Sequence, residues 1–127
     1  MAYSTGVVTN TRATGTAATN IVVNTRNLDT DDSVWITVQI FASVDSSDFY
    51  TAYYSMYEVL EDSYDVREFY IAGNVTYEVQ LSVTVEAGVP NALMSVTGLD
   101  EFGNLVEDQR FTQADLTFIT SLSPVQL

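Results

Sequence analysis

The 127-residue sequence predicts an all-β fold: an antiparallel β-sandwich or jelly roll of about seven to eight strands behind an extended N-terminal connector strand. Period-two alternation is the first reason. "VTYEVQLSVTVE" places Val75, Tyr77, Val79, Leu81, Val83 and Val85 on one face and Thr76, Glu78, Gln80, Ser82, Thr84 and Glu86 on the other. That is the pattern of a half-buried antiparallel strand. Turn chemistry recurring roughly every 8–14 residues is the second reason. The third is that, outside the aromatic segment Phe49–Leu60, no stretch combines apolar period 3.6 with helix caps.

Residues 1–18, "MAYSTGVVTNTRATGTAA", are rich in Thr, Ala and Gly and nearly uncharged. They are read as the connector, and residues 19–127 as one sandwich domain, long enough for a single core. "TNIVVNTRNL" is the first body strand and ends at the turn-rich "DTDDS". "SVWITVQIF" follows, with Val34, Ile36, Val38 and Ile40 inward and Trp35, Thr37, Gln39 and Phe41 outward. After the aromatic segment "FYTAYYSMYEVL" and the acidic turn "LEDSYD" come the strand Val66–Ala72 and then the alternating Val75–Glu86 run. "NALMSVTGL" is joined by the hairpin loop "DEFGN" to "LVEDQRFT".

The aromatic segment admits two readings. Tyr50, Tyr53, Tyr54, Tyr57 and Leu60 match helical spacing, but Tyr and Thr favour strands and the neighbours are strands, so a strand is expected. Its alternation puts Phe49, Tyr53, Tyr57 and Val59 on one face and Tyr50, Tyr54, Met56 and Leu60 on the other. A sandwich buries only one face of each sheet. The second must be covered by a loop, a terminal segment or a partner. Trp35 and Phe41 pose the same requirement.

Composition narrows the chemistry. Seventeen Asp and Glu face Arg12, Arg26, Arg67 and Arg110, for a net charge of −13. Such a chain repels nucleic acid and anionic membranes. No stretch reaches the length of an apolar membrane span, and the first residues show neither a basic nor an apolar signal region, so no secretory signal peptide is expected. With no Cys, His or Lys, there is no triad of Ser–His or Cys–His type, no thiolate or imidazole metal site, no Schiff base and no disulfide. No catalytic residue, cofactor or metal is expected. The acidic clusters Asp29, Asp31, Asp32 and Glu61, Asp62, Asp65 could offer oxygens to Ca²⁺, but they match no calcium loop and are read as solvated turns.

At "SVTGLDEFGNLVEDQRF", "NIVVNTRNLDTDDSVWITVQIF" and the leader "RATGTA", the chain resembles small all-β proteins of spore-forming Gram-positive bacteria. In these a "VxNxxN" strand, a "VTVQIF"-type strand and a hairpin of the form "V-x-G-x-D-x-x-G-N-L" recur in that order. The shared residues, Gly98, Asp100, Gly103 and Asn104, are structural punctuation. The architecture is similar to that of endospore appendage fibre subunits, whose N-terminal connectors insert into the next subunit. Those connectors carry cross-linking cysteines and this leader has none, so the resemblance implies non-covalent docking.

The expected function is therefore a non-enzymatic subunit that polymerises head-to-tail with itself into an extracellular or spore-surface filament. An N-terminal strand carrying Tyr3, Val7, Val8 and Arg12 would add to a sandwich, its own in cis or a neighbour's in trans, and filament growth takes the second. On the body, Trp35, Phe41, Tyr50, Tyr54 and Met56 would seal the contact. Any surface anchor or tip protein is left open. The alternative is a carbohydrate-binding or adhesive module that uses the exposed aromatics as a platform.

Overall fold

The computed structural model describes residues 1–10, 17–45, 47–71, 75–86 and 88–126. Among the described residues nine strands form two antiparallel sheets: β1 (Ala2–Ser4), β2 (Asn20–Asn27), β3 (Val34–Ser43), β4 (Tyr50–Val59), β5 (Tyr64–Tyr70), β6 (Thr76–Thr84), β7 (Ala92–Leu99), β8 (Leu105–Phe111) and β9 (Thr117–Ile119). The first sheet has the order β4-β3-β6-β1-β9, the second β5-β2-β7-β8. The fold is thus an all-β sandwich. The seven strands expected in the body are β2 to β8, with the fourth of these at Tyr64–Tyr70 rather than Val66–Ala72. The aromatic segment is strand β4 and not a helix.

Alternation explains the core. Ile36, Val38, Ile40 and Ala42 of β3 lie in register with Val83, Leu81, Val79 and Tyr77 of β6, and all eight side chains are buried. Opposite them the second sheet contributes Ile21, Val23, Met94 and Val96. Each aliphatic side chain so buried contributes about 1.5–3 kcal/mol, so this block dominates the stability. At the sheet edges Tyr53 of β4 meets Phe69 of β5 edge-on, with centroids 5.1 Å apart.

Buried polar side chains seal the ends of the sandwich. Asn27, fully buried, donates to the carbonyls of Asp32, Val59 and Leu60 and accepts from the Asp29 N–H, tying the β2–β3 crossing to the β4–β5 turn. At the other end Asn10 acts as a substitute backbone for Ala18. Its Oδ1 accepts from the Ala18 N–H at 2.8 Å and its Nδ2 donates to the Ala18 carbonyl at 3.1 Å. Gln109 donates to Asn10 Oδ1 at 2.9 Å, and Tyr77 donates to Gln109 Oε1 at 2.7 Å. Desolvation pushes the Tyr77 phenol well above the usual tyrosine range. β8 bulges between its Thr97–Arg110 and Leu99–Leu105 pairings, which lets Gln109 turn inward over Gly98.

Candidate subunit interface

The leader is built into the body's own sheet. Ala2, Tyr3 and Ser4 pair with Ser82, Leu81 and Gln80 of β6 on one side and with Ile119, Phe118 and Thr117 of β9 on the other. Pairing with β6 runs on through Thr5 and resumes at Val8, which exchanges both backbone hydrogen bonds with Tyr77. One residue is inserted between, and Gly6 takes it up at φ +73°, where a side chain would be strained. Tyr3 packs against the core and meets Phe118 edge-on, Val8 is buried and Val7 is exposed. Arg12, expected on the connector, lies outside the described residues.

On the body, Trp35, Tyr54 and Met56 share the outer face of the first sheet, at 47%, 54% and 59% exposure. Trp35 pairs with Glu58, Thr37 with Met56 and Gln39 with Tyr54, so the three apolar groups form a diagonal across β3 and β4. Two expected members of the patch are not part of it. Phe41 points outward, yet it is only 4% exposed, at the floor of a cleft of about 480 Å³ shared with Val7, Phe49, Glu78, Ser123 and Gln126. Tyr50 does not share a face with Tyr54. A β-bulge at Ala52 pairs Tyr53 with Ile40 but Thr51 with Phe41, so Tyr50 falls opposite Ala42 on the inner side. There it lines the rim of the sandwich with Tyr53, Tyr70 and Ile71.

The cover over Phe41 is the chain's own C-terminal segment. Gln39 Nε2 donates to the Ser123 carbonyl, the Ser123 N–H donates to Gln80 Oε1, and Gln80 Nε2 donates to Ser123 Oγ. Thr51 and Gln126 are tied by Thr51 N–H to the Gln126 carbonyl and Gln126 N–H to Thr51 Oγ1, both at 2.8 Å. Gln80 also donates to Glu78 Oε2, which accepts from the Ser4 hydroxyl as well. A continuous polar chain therefore crosses the sheet from the leader to the C-terminal segment.

Alternation in "YDVREFY" marks a second apolar strip that the sequence reading passed over. Tyr64, Val66 and Tyr70 stand exposed on the outer face of edge strand β5, and Arg26 lies 4.6 Å from the Tyr64 ring centre. The buried glutamines Gln39, Gln80 and Gln109 carried no signal, because a Gln in an alternating strand reads as solvated.

The acidic turns are occupied locally. Asp29 Oδ1 accepts from the Asp31 and Asp32 N–H groups, Asp62 pairs with Arg26 at 2.6 Å and Asp65 with Arg67 at 3.0 Å. Backbone N–H groups of Ser47 and Asp48 hold the Asp45 carboxyl well below the usual range, and that of Thr112 lowers Asp115. Among the described residues no three acidic side chains converge as a metal site would require, and no helix is long and apolar enough to cross a membrane. Comparison of the chain with protein-family models, curated proteins and solved structures found no match.

Proposed function

We propose that this protein is a non-enzymatic structural subunit whose copies join head-to-tail, residues 1–10 of one copy docking on the next with Ala2–Ser4 between its β6 and β9. The supporting observation is that β1, the first strand in sequence order, occupies an interior position of a sheet, with all its strand partners on β6 and β9. Exchange between copies rebuilds identical contacts and alters only the connection between Asn10 and Ala18. It is therefore close to neutral per subunit and driven by concentration. A transfer that does not close on itself gives a filament. The reading puts the filament outside the cell, on the spore surface, and rests there on the sequence resemblance alone.

The absence of cysteine makes the test clean. Ala2 and Ser82 are direct cross-strand partners, spaced as a disulfide requires. In the Ala2→Cys, Ser82→Cys chain, oxidation of assembled material is expected to give a ladder of covalent oligomers on a non-reducing gel. A cross-linked monomer alone, from preparations that contain fibres, rules out exchange. Preparations that never form fibres under electron microscopy rule out the polymer.

A second reading has one observation in its favour: Trp35 and Tyr54 lie exposed on one flat face, as in aromatic platforms that stack on sugar rings. Retention on insoluble polysaccharide that disappears in Trp35→Ala and Tyr54→Ala would favour an adhesive module instead.

A further inference from the structure

We propose that the outer face of the first sheet is a binding site for an extended polypeptide segment, and that its ligand in trans is residues 120–126 of a second copy. The reading uses the other end of the chain and another face of the sheet from the N-terminal exchange, and stands independently of it.

The site is recognisable by what it does to Ser123. Gln39 and Gln80 are direct partners across β3 and β6, with side chains 0% and 4% exposed. One amide donates to the Ser123 carbonyl and the other accepts from its N–H, each at 2.8 Å. Together they present to one residue the donor and acceptor that a neighbouring strand would present, but from the face of a sheet rather than its edge. Thr51 repeats the arrangement three residues further on, where its own N–H and hydroxyl hold both backbone groups of Gln126. The Thr51 hydroxyl also donates to Gln39 Oε1, fixing which end of that amide faces the ligand.

Such a clamp reads backbone more than side chains. Two buried amides that were not satisfied by a ligand would be costly, so the site is built to be filled. The segment in it, residues 120–126, "TSLSPVQ", carries no charged side chain, so docking brings no side-chain charge against a chain of net charge −13. The same segment of another copy fits by identity. The tethered segment competes at an effective concentration of about millimolar, so the site accepts a second copy only when its own end is displaced.

Ser123→Pro in the full-length chain removes the N–H that Gln80 accepts and leaves the clamp intact. A fluorescent TSLSPVQ peptide is expected to bind this variant at least about tenfold more tightly than the native chain. Adding Gln39→Met and Gln80→Met, which conserve volume, is expected to abolish binding. If that variant loses its native near-ultraviolet circular dichroism, Thr51→Val in the Ser123→Pro background replaces it, with an expected loss of several-fold. Equal binding to the native and Ser123→Pro chains, absence of saturable binding to either up to millimolar peptide, or binding that survives the clamp substitutions overturns the proposal.

Discussion

Gln39 and Gln80 stand opposite one another on β3 and β6, buried on the side of the sheet that alternation assigns to solvent, and between them they hold Ser123 by both its backbone groups. This relationship explains why β3 is buried on both faces through its second half, although it belongs to a two-layer sandwich. The chain supplies part of a third layer from its own C-terminal segment. Among the described residues of β3 and β4, the large apolar side chains left exposed on that face are the diagonal Trp35, Met56 and Tyr54.

Gly98 lies beneath Gln109 because nothing larger fits. A Cβ there would sit 2.5 Å from Gln109 Oε1 and 3.2 Å from the Ala18 Cβ. Gly98→Ala is expected to push Gln109 off Tyr77 and Asn10 and cost about 1–3 kcal/mol, read as a lowered melting temperature in calorimetry. An unchanged melting temperature would mean that β8 yields without cost.

Asn10 holds the Ala18 backbone, which is fully buried. Asn10→Ala leaves that N–H and carbonyl without their partner, at roughly 1–3 kcal/mol for each group left unpaired. A loss on the order of 3 kcal/mol is expected in urea titration. Asn10→Asp should be worse near neutral pH, because a carboxylate cannot donate to the Ala18 carbonyl and its charge would be buried. Equal stability of the native and Ala variants would show that water replaces the amide.

Burial raises the phenols of both Tyr77 and Tyr57. A group whose folded value is raised contributes stability that is fully present below its unfolded value, about pH 10 for tyrosine, and lost as pH climbs towards the folded one. Absorbance at 295 nm is expected to show a late phase that coincides with loss of circular dichroism above about pH 10. Tyr77→Phe should shrink that phase. Ionisation of every tyrosine before any unfolding would contradict the burial.

In the proposed assembly the exposed diagonal would separate growth from folding. Trp35→Ser, Tyr54→Ser and Met56→Ser, singly, are expected to change stability by no more than about 0.5 kcal/mol, yet to slow fibre growth in light scattering. Copies of net charge −13 also repel. Raising ionic strength from about 0.02 to 0.2 M, which shortens the screening length to well under 10 Å, should accelerate assembly. Growth indifferent to both changes removes this face and electrostatics from the mechanism.

The core was legible because alternation is a local property. Val34, Ile36, Val38 and Ile40 could be assigned inward without any partner in view, and they are inward. The same rule failed at Tyr50, where the bulge at Ala52 shifts parity, and no residue type in "YTAYY" announces a bulge. At Phe41 the rule held for direction, and what it could not see is the cover, supplied by residues more than eighty positions away. Period two in "YDVREFY" suffices to place Tyr64, Val66 and Tyr70 on one face.

By itself the sequence determined the all-β class, the seven body strands and the chemistry the chain lacks, since alternation, turn residues and composition act over a few positions at a time. Tertiary structure alone decided that Ala2–Ser4 lie between β6 and β9, that Asn10, Gln39, Gln80 and Gln109 are buried, and that the C-terminal segment closes over Phe41. Each of these depends on which distant backbone group meets a given amide. A polar side chain in a strand looks the same in sequence whether water or another part of the chain satisfies it.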